Sequence, residues 1–366
     1  MPDSSSLGAL CLDGSPYGVY VSKGLADKWV IHIQGGGWCY DEADCLGRSK
    51  TILGSSKTWP TILPNNFIDD TSGIFSADPN INPDFYNWTR IWLPYCDGAS
   101  FSGYVGDPVI VNGESLYFRG KIVLKESFNY LLVSEGLGKA KEVIITGTSA
   151  GGLATYFHID ELASQLPNAR VVGLPDAGYF MDIPDVKGNY WIRSLYQNVL
   201  KMQNMTGSLD QGCITKYPSS NWECFFPAIY YQFIKTPLFI INTPYDTWQL
   251  GNILAPNGDG IDWNDCINGK QPCTSEQVAA FQKFHQDVLD SWAGAGVIPP
   301  VLPSQNGLFA PSCFIHALTV SEYYWTTPAI DGKTMRTAFA DWYYGRGNLH
   351  IHLDCPYPCN KACKSM

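Results

Sequence analysis

Residues 142–152, reading EVIITGTSAGG, constrain this chain more than any other stretch. The β-branched run Val143-Ile144-Ile145-Thr146 has the composition of a strand buried on both faces of a parallel sheet. It leads straight into Gly147-Thr148-Ser149-Ala150-Gly151, a G-x-S-x-G elbow. In such an elbow a serine occupies a strained strand-to-helix turn for which glycine neighbours make room. The continuation, LATYFHIDELASQL, places Ile159, Leu162, Ala163 and Leu166 on one helical stripe. Strand, serine and helix in that order predict an α/β-hydrolase-like fold, with a mostly parallel central sheet, helices on both faces and Ser149 as nucleophile. A solvated serine in an ordinary Gly-rich turn is the bland alternative, and it leaves the flanking strand and helix unexplained.

The 366 residues, 45% hydrophobic and 16% charged, suffice to bury a core without a metal or partner. No composition break or repeat marks a boundary, so residues 1–366 are read as a single α/β domain with long loops, for which 24 prolines and 35 glycines supply the turns. A net charge of -10 excludes nucleic acid, since no basic stripe is available for phosphates. No apolar run approaches the roughly 18 residues of a membrane span. A monomer is expected.

Twelve cysteines, an even number, point to disulfide-stapled loops and an oxidising compartment. Cys39 and Cys45 are close enough for a small-loop bridge, and the other pairings stay open. Asn87-Trp88-Thr89 and Asn204-Met205-Thr206 are glycan acceptor tripeptides, which fits secretion. Met1-Pro2-Asp3-Ser4 has neither the basic nor the apolar region of a signal peptide, so the sequence reads as a mature form with an added methionine.

In chain order, Tyr17–Val21 and Trp29–Ile33 read as a hairpin-like pair. The second run enters Gly35-Gly36-Gly37-Trp38, a Gly-rich loop where backbone N–H groups of an oxyanion hole are expected. Phosphate cradling is the weaker reading, because no G-x-x-x-x-G-K-[ST] pattern is present. Residues 45–87 carry no periodicity and read as a surface excursion. Arg90–Pro94 is strand-like and leads to a loop, Tyr95–Ser100, on the elbow's edge. Helices are predicted over 116–135, 188–203 and 276–292, and strands over 170–174, 236–241 and 307–310. The strand at 236–241 exits to Asp246, where the acid of a hydrolase triad is expected.

Six histidines compete for the base. His32 falls in a strand, and His158 and His285 fall on helices, all structural settings. His316 follows the strand at 307–310 in a loop, which gives the order Ser149, Asp246, His316 for nucleophile, acid and base. His350, His352, Asp354, Cys355, Cys359 and Cys363 together suggest metal ligands. Their C-x3-C-x3-C spacing matches no common zinc pattern, and Pro356 and Pro358 favour an extended, disulfide-stapled tail. No metal or cofactor is therefore expected.

The blocks CLDGSPYGVYV, GGGWC, NPDFYNWTRIWLPYCDGASFSG, GTSAGGLA, DAGYF, TPLFIINTPYDTWQLGNILAP, SCFIHALT and CPYPCN resemble plant-type pectin acetylesterases over nearly the whole chain. The wider family includes the animal deacylase Notum. The resemblance implies a secreted, metal-independent serine esterase acting on acetylated polysaccharide. It also assigns Ser149, Asp246 and His316 to the triad, and Gly36 or Gly37 together with Ala150 to the oxyanion hole. Trp38, Asp97, Asp176 and Tyr179, in loops near these residues, are the expected substrate contacts. Plant members commonly carry cysteine where this chain has Thr148 and Ala317. A Notum-like lipid deacylase, an acetylxylan-type or general carboxylesterase, and a non-catalytic carbohydrate-binding protein are the alternatives.

Overall fold

The computed structural model describes residues 1–63, 72–256, 263–300 and 305–363. Eight strands form the central sheet: β1 (Tyr20–Ser22), β2 (Leu25–Ile33), β3 (Trp88–Leu93), β4 (Glu142–Thr148), β5 (Arg170–Asp176), β6 (Phe239–Ile241), β7 (Gly307–Ala310) and β8 (Ile351–Leu353). Their spatial order is β1-β3-β2-β4-β5-β6-β7-β8. Only the β1–β3 pairing is antiparallel. The seven parallel strands therefore send their carboxyl ends to one edge, where sites in open α/β sheets are built.

The hairpin expected from residues 17–33 does not form. β1 pairs with β3, and β2 lies between β3 and β4. Two polar-flanked strands look like a hairpin locally, but the apolar β3 run supplies a partner that pairs with both.

Side chains along each parallel strand alternate between two cores. Val143 and Ile145 of β4 join Ile31 and Ile33 of β2 on one face, whereas Ile144 and Val30 join Val172, Leu174 and Phe239 on the other. Each such fully buried aliphatic side chain contributes about 1.5–3 kcal/mol. The first face is covered by α1 (Gly120–Tyr130), α2 (Ala150–Ser164), α3 (Trp191–Met202) and α4 (Ser275–Ala295), and the second by α5 (Met335–Tyr343). All of α2 from Ala150 to Ile159 is buried, so its stripe there is wider than the amphipathic pattern predicted. Thr274 and Gln277 form a reciprocal capping box at the start of α4, and Gly296 closes its end in the left-handed region.

Two further expectations change. The helix predicted from residue 116 begins at Gly120, because Glu114–Leu116 pairs with Val109–Val111 in a small hairpin. The 45–87 excursion is not all surface: Ile74, Phe75 and Phe85 enter the second core. All twelve cysteines are paired, as Cys11–Cys96, Cys39–Cys45, Cys213–Cys224, Cys266–Cys273, Cys313–Cys363 and Cys355–Cys359.

Candidate active site

Ser149 stands between β4 and α2 with φ 58° and ψ -125°, a region that non-glycine residues enter only under local constraint. The constraint is visible in the packing. A Cβ at Gly147 would collide with the Gly151 carbonyl, and one at Gly151 with the Ile33 carbonyl, so the turn closes only with glycine at both. The Ser149 amide donates to the Asp176 carbonyl at 2.9 Å, which pins the elbow to the end of β5. The side chain is left half-exposed.

Asp246, past the end of β6, is fully buried and accepts from the Gln249 amide at 3.0 Å, capping a short helical turn. The same carboxylate holds Nδ1 of His316 at 3.0 and 2.8 Å through its two oxygens. His316 lies in the loop after β7 with its side chain 20% exposed. Its Nε2, across the ring, is buried without a hydrogen-bond partner among the described residues. No hydrogen bond joins it to the Ser149 hydroxyl among those residues, a contact that in unliganded hydrolases commonly tightens once substrate is seated.

Burial opposes protonation of His316, but Asp246, by charge and by hydrogen bond, and then Asp176 more than reverse this, and its pKa lies above the ordinary 6.5. A base must be neutral to accept a proton. The acidic limb of a kcat/KM profile is therefore expected above pH 6.5, with activity lost as pH falls through it. A limb below pH 6 would remove His316 as the base.

The Gly-rich loop after β2 is clamped from behind. Arg48 Nη1 donates to the Gly36 carbonyl at 2.8 Å, and Tyr95 Oη to the Gly37 carbonyl at 2.8 Å. Because C=O and N–H point in opposite directions across a trans peptide, these bonds turn the Gly37 and Trp38 amides away from the clamps. Gly36 and Gly37 both have positive φ, 151° and 68°, and a Cβ at Gly35 would strike the Thr148 carbonyl. The loop thus lies directly against the elbow. Ala150, the first residue of α2, carries an amide that has no acceptor within the helix.

The expected substrate contacts divide. Trp38 packs near the site, its ring centroid 5.8 Å from Trp248 and 4.9 Å from Phe180, and both of those rings approach His316. Asp97, Asp176 and Tyr179 are corrected to interior positions. Asp97 is buried, which pushes its pKa up to about 7, and its carboxylate accepts from the Ala99 and Phe101 amides. Asp176 is buried and accepts from Leu318 and Thr319. The Tyr179 hydroxyl meets Ser291 Oγ at 2.9 Å. A loop position in sequence does not reveal whether a side chain turns outward or back into the scaffold.

Arg48, Tyr95, Phe180 and Trp248 were not singled out by sequence. Trp248, two residues beyond Asp246, had a positional signal, whereas the Arg48 and Tyr95 clamps act through backbone carbonyls and had none. The suggested metal cluster does not assemble as such. His350 and His352 precede and lie within β8, while Cys355 and Cys359 are oxidised to one another and Cys363 to Cys313. The Asp354 carboxylate accepts from Ser312 and Asn360 beside that disulfide.

The pectinacetylesterase sequence profile matches residues 1–364. The chain belongs to the pectinacetylesterase family. Pectin acetylesterase 5 of Arabidopsis thaliana is 38% identical over 98% of this chain and 82% of its own length. The palmitoleoyl-protein carboxylesterase NOTUM of Mus musculus is 27% identical over 97% of this chain and 70% of its own. The structure of the Wnt deacylase Notum from Drosophila matches with a TM-score of 0.81 at 25% identity, covering 98% of this chain and 97% of that one. As a pectinacetylesterase-family member this chain is a carboxylic ester hydrolase with an α/β-hydrolase-like fold.

Proposed function

We propose that this chain is a secreted serine esterase, acting as one domain, that removes O-acetyl groups from acetylated pectin. The observation that carries the reading is the Asp246 carboxylate holding His316 Nδ1 at the same sheet edge as the strained Ser149. In the proposed reaction His316 Nε2 takes the Ser149 proton as Oγ attacks the acetyl carbon, and Asp246 fixes the tautomer and stabilises the imidazolium. The Gly36–Trp38 loop and Ala150 amides receive the developing oxyanion, each donor worth about 3 kcal/mol in the transition state. His316 then protonates the departing sugar oxygen, which leaves as the hydroxyl, and a water activated by the same imidazole releases acetate from Ser149.

Paired cysteines throughout and exposed asparagines in both sequons support passage through an oxidising secretory compartment. No helix among the described residues is long and apolar enough to cross a membrane. A pectin substrate rests on similarity to the plant enzymes, which exceeds that to the Notum proteins.

Acyl length separates the two branches. Beside the Gly-rich loop, the Trp38 ring abuts Tyr196 at 5.0 Å, and Tyr196 abuts Phe225 at 4.1 Å. With Phe180 and Trp248 these rings pack against one another along the flank of the site, which supports a short acyl pocket. Each methylene buried in a deep pocket would add about 0.8 kcal/mol, whereas a filled one excludes it sterically. With one leaving group throughout, kcat/KM is expected to peak at acetate and fall steeply beyond butyrate. A preference for octanoate over acetate would reject the acetyl reading in favour of lipid deacylation.

A further inference from the structure

One buried acid outside the proposed triad bonds to the Ser149 elbow through its backbone carbonyl and to the loop after His316 through its carboxylate. Asp176 ends β5 directly beside Thr148 in the β4–β5 register. Its carbonyl accepts from the Ser149 amide, and its Oδ2 accepts from the Leu318 amide at 2.7 Å, the Thr319 amide at 2.7 Å and the Thr319 hydroxyl at 2.8 Å. Those three donors lie immediately past His316, beyond Ala317, whose φ of 65° bends the loop back towards β5. The other oxygen, Oδ1, is buried without a hydrogen-bond partner among the described residues.

Asp176 therefore joins the backbone of Ser149 to the loop that follows His316, and its charge acts on the imidazole. We propose that Asp176 is a positioning residue of this esterase: it fixes the His316 loop against the Ser149 elbow and adds a second negative charge that favours the imidazolium. The inference rests on His316 being the base.

The charged surroundings are few. His316 faces Asp246 and Asp176, and Phe180 and Trp248 present uncharged rings to it. Asp176 itself faces His316 and, from α2, the phenol of Tyr156, which burial holds neutral. His32 of β2 stands 3.5 Å from Thr148 Oγ1, and burial keeps it neutral down to about pH 3. Burial also pushes Asp176 up to about 6, so it bears its charge in the range where a His316 base would work.

Asp176→Asn keeps the shape and an acceptor for the loop amides while removing the charge. The His316 ring is to be titrated by NMR in a Ser149→Ala background, and kcat and KM measured with Ser149 intact. Without the second carboxylate the imidazolium is less favoured, so the His316 pKa is expected to drop. Turnover is expected to fall several-fold, because the imidazolium formed in the transition state loses its second counter-charge, with KM changed less than about twofold. An unmoved His316 titration overturns the proposal whatever the activity does. If the asparagine variant does not fold, Thr319→Val, which loosens the same carboxylate, should move the titration in the same direction by less, and no movement there also overturns it. The titration needs no turnover, so it is independent of the esterase reading, whose failure would appear instead as full activity in His316→Ala.

Discussion

Ser149→Ala is expected to lower turnover by about 10⁶ while leaving the thermal transition nearly unchanged. The loss is large because the proposed nucleophile, base and acid would act as a unit, and removing the attacking atom would leave only the binding groups and the proposed oxyanion donors. The fold should tolerate the exchange. Ser149 Oγ makes no hydrogen bond among the described residues, the side chain is half-exposed, and alanine keeps the Cβ that the turn already accommodates at φ 58°. Initial rates on an acetyl ester, with a thermal melt as the folding control, provide the check. Retention of more than a tenth of the activity, with contaminating esterase excluded, would remove Ser149 as nucleophile.

The elbow was legible in sequence because it is local. Strand, glycine-flanked serine and helix follow one another within a single stretch, and the steric demand at Gly147 and Gly151 is met by neighbours in chain or on the adjoining strand. The pairing of Asp246 with His316 had a weaker signal, a polar residue placed just beyond a core strand in each case. What the pattern could not carry is non-local. The β1–β2 hairpin reading failed because β3, some sixty residues later in the chain, provides β1's partner and one of β2's. Pairings such as Cys11–Cys96 and Cys313–Cys363 likewise depend on which loops the sheet brings together.

The direction in which a loop residue points was equally hidden. Asp97 and Asp176 stand in the right loops to meet substrate, yet both turn inward onto backbone amides. Burying a carboxylate is costly unless its oxygens find donors, and for one oxygen of each, Oδ2, amides a few residues away or across the sheet edge supply them. Arg48 and Tyr95 show the converse, since side chains that act on carbonyls leave no pattern of their own in the chain.

Asp246→Asn is expected to cost about 10⁴ in turnover, less than loss of the serine, with substrate affinity largely kept. The carboxylate is fully buried and fixed on one side by the Gln249 amide, so an asparagine oxygen will keep that bond. Its NH2 group then faces His316 Nδ1, which must become an acceptor, and the ring proton moves to Nε2. A protonated Nε2 cannot take the Ser149 proton. The variant also removes the charge that does most to offset burial of the imidazolium, so the His316 pKa should fall and the acidic limb move to lower pH. A factor of 10⁴ corresponds to about 5.5 kcal/mol of transition-state stabilisation, too large to arise from the loss of one ordinary neutral hydrogen bond. The pH profile of kcat/KM and the turnover at its plateau are the measurements. A loss smaller than tenfold, with the acidic limb unmoved, would remove Asp246 as the acid.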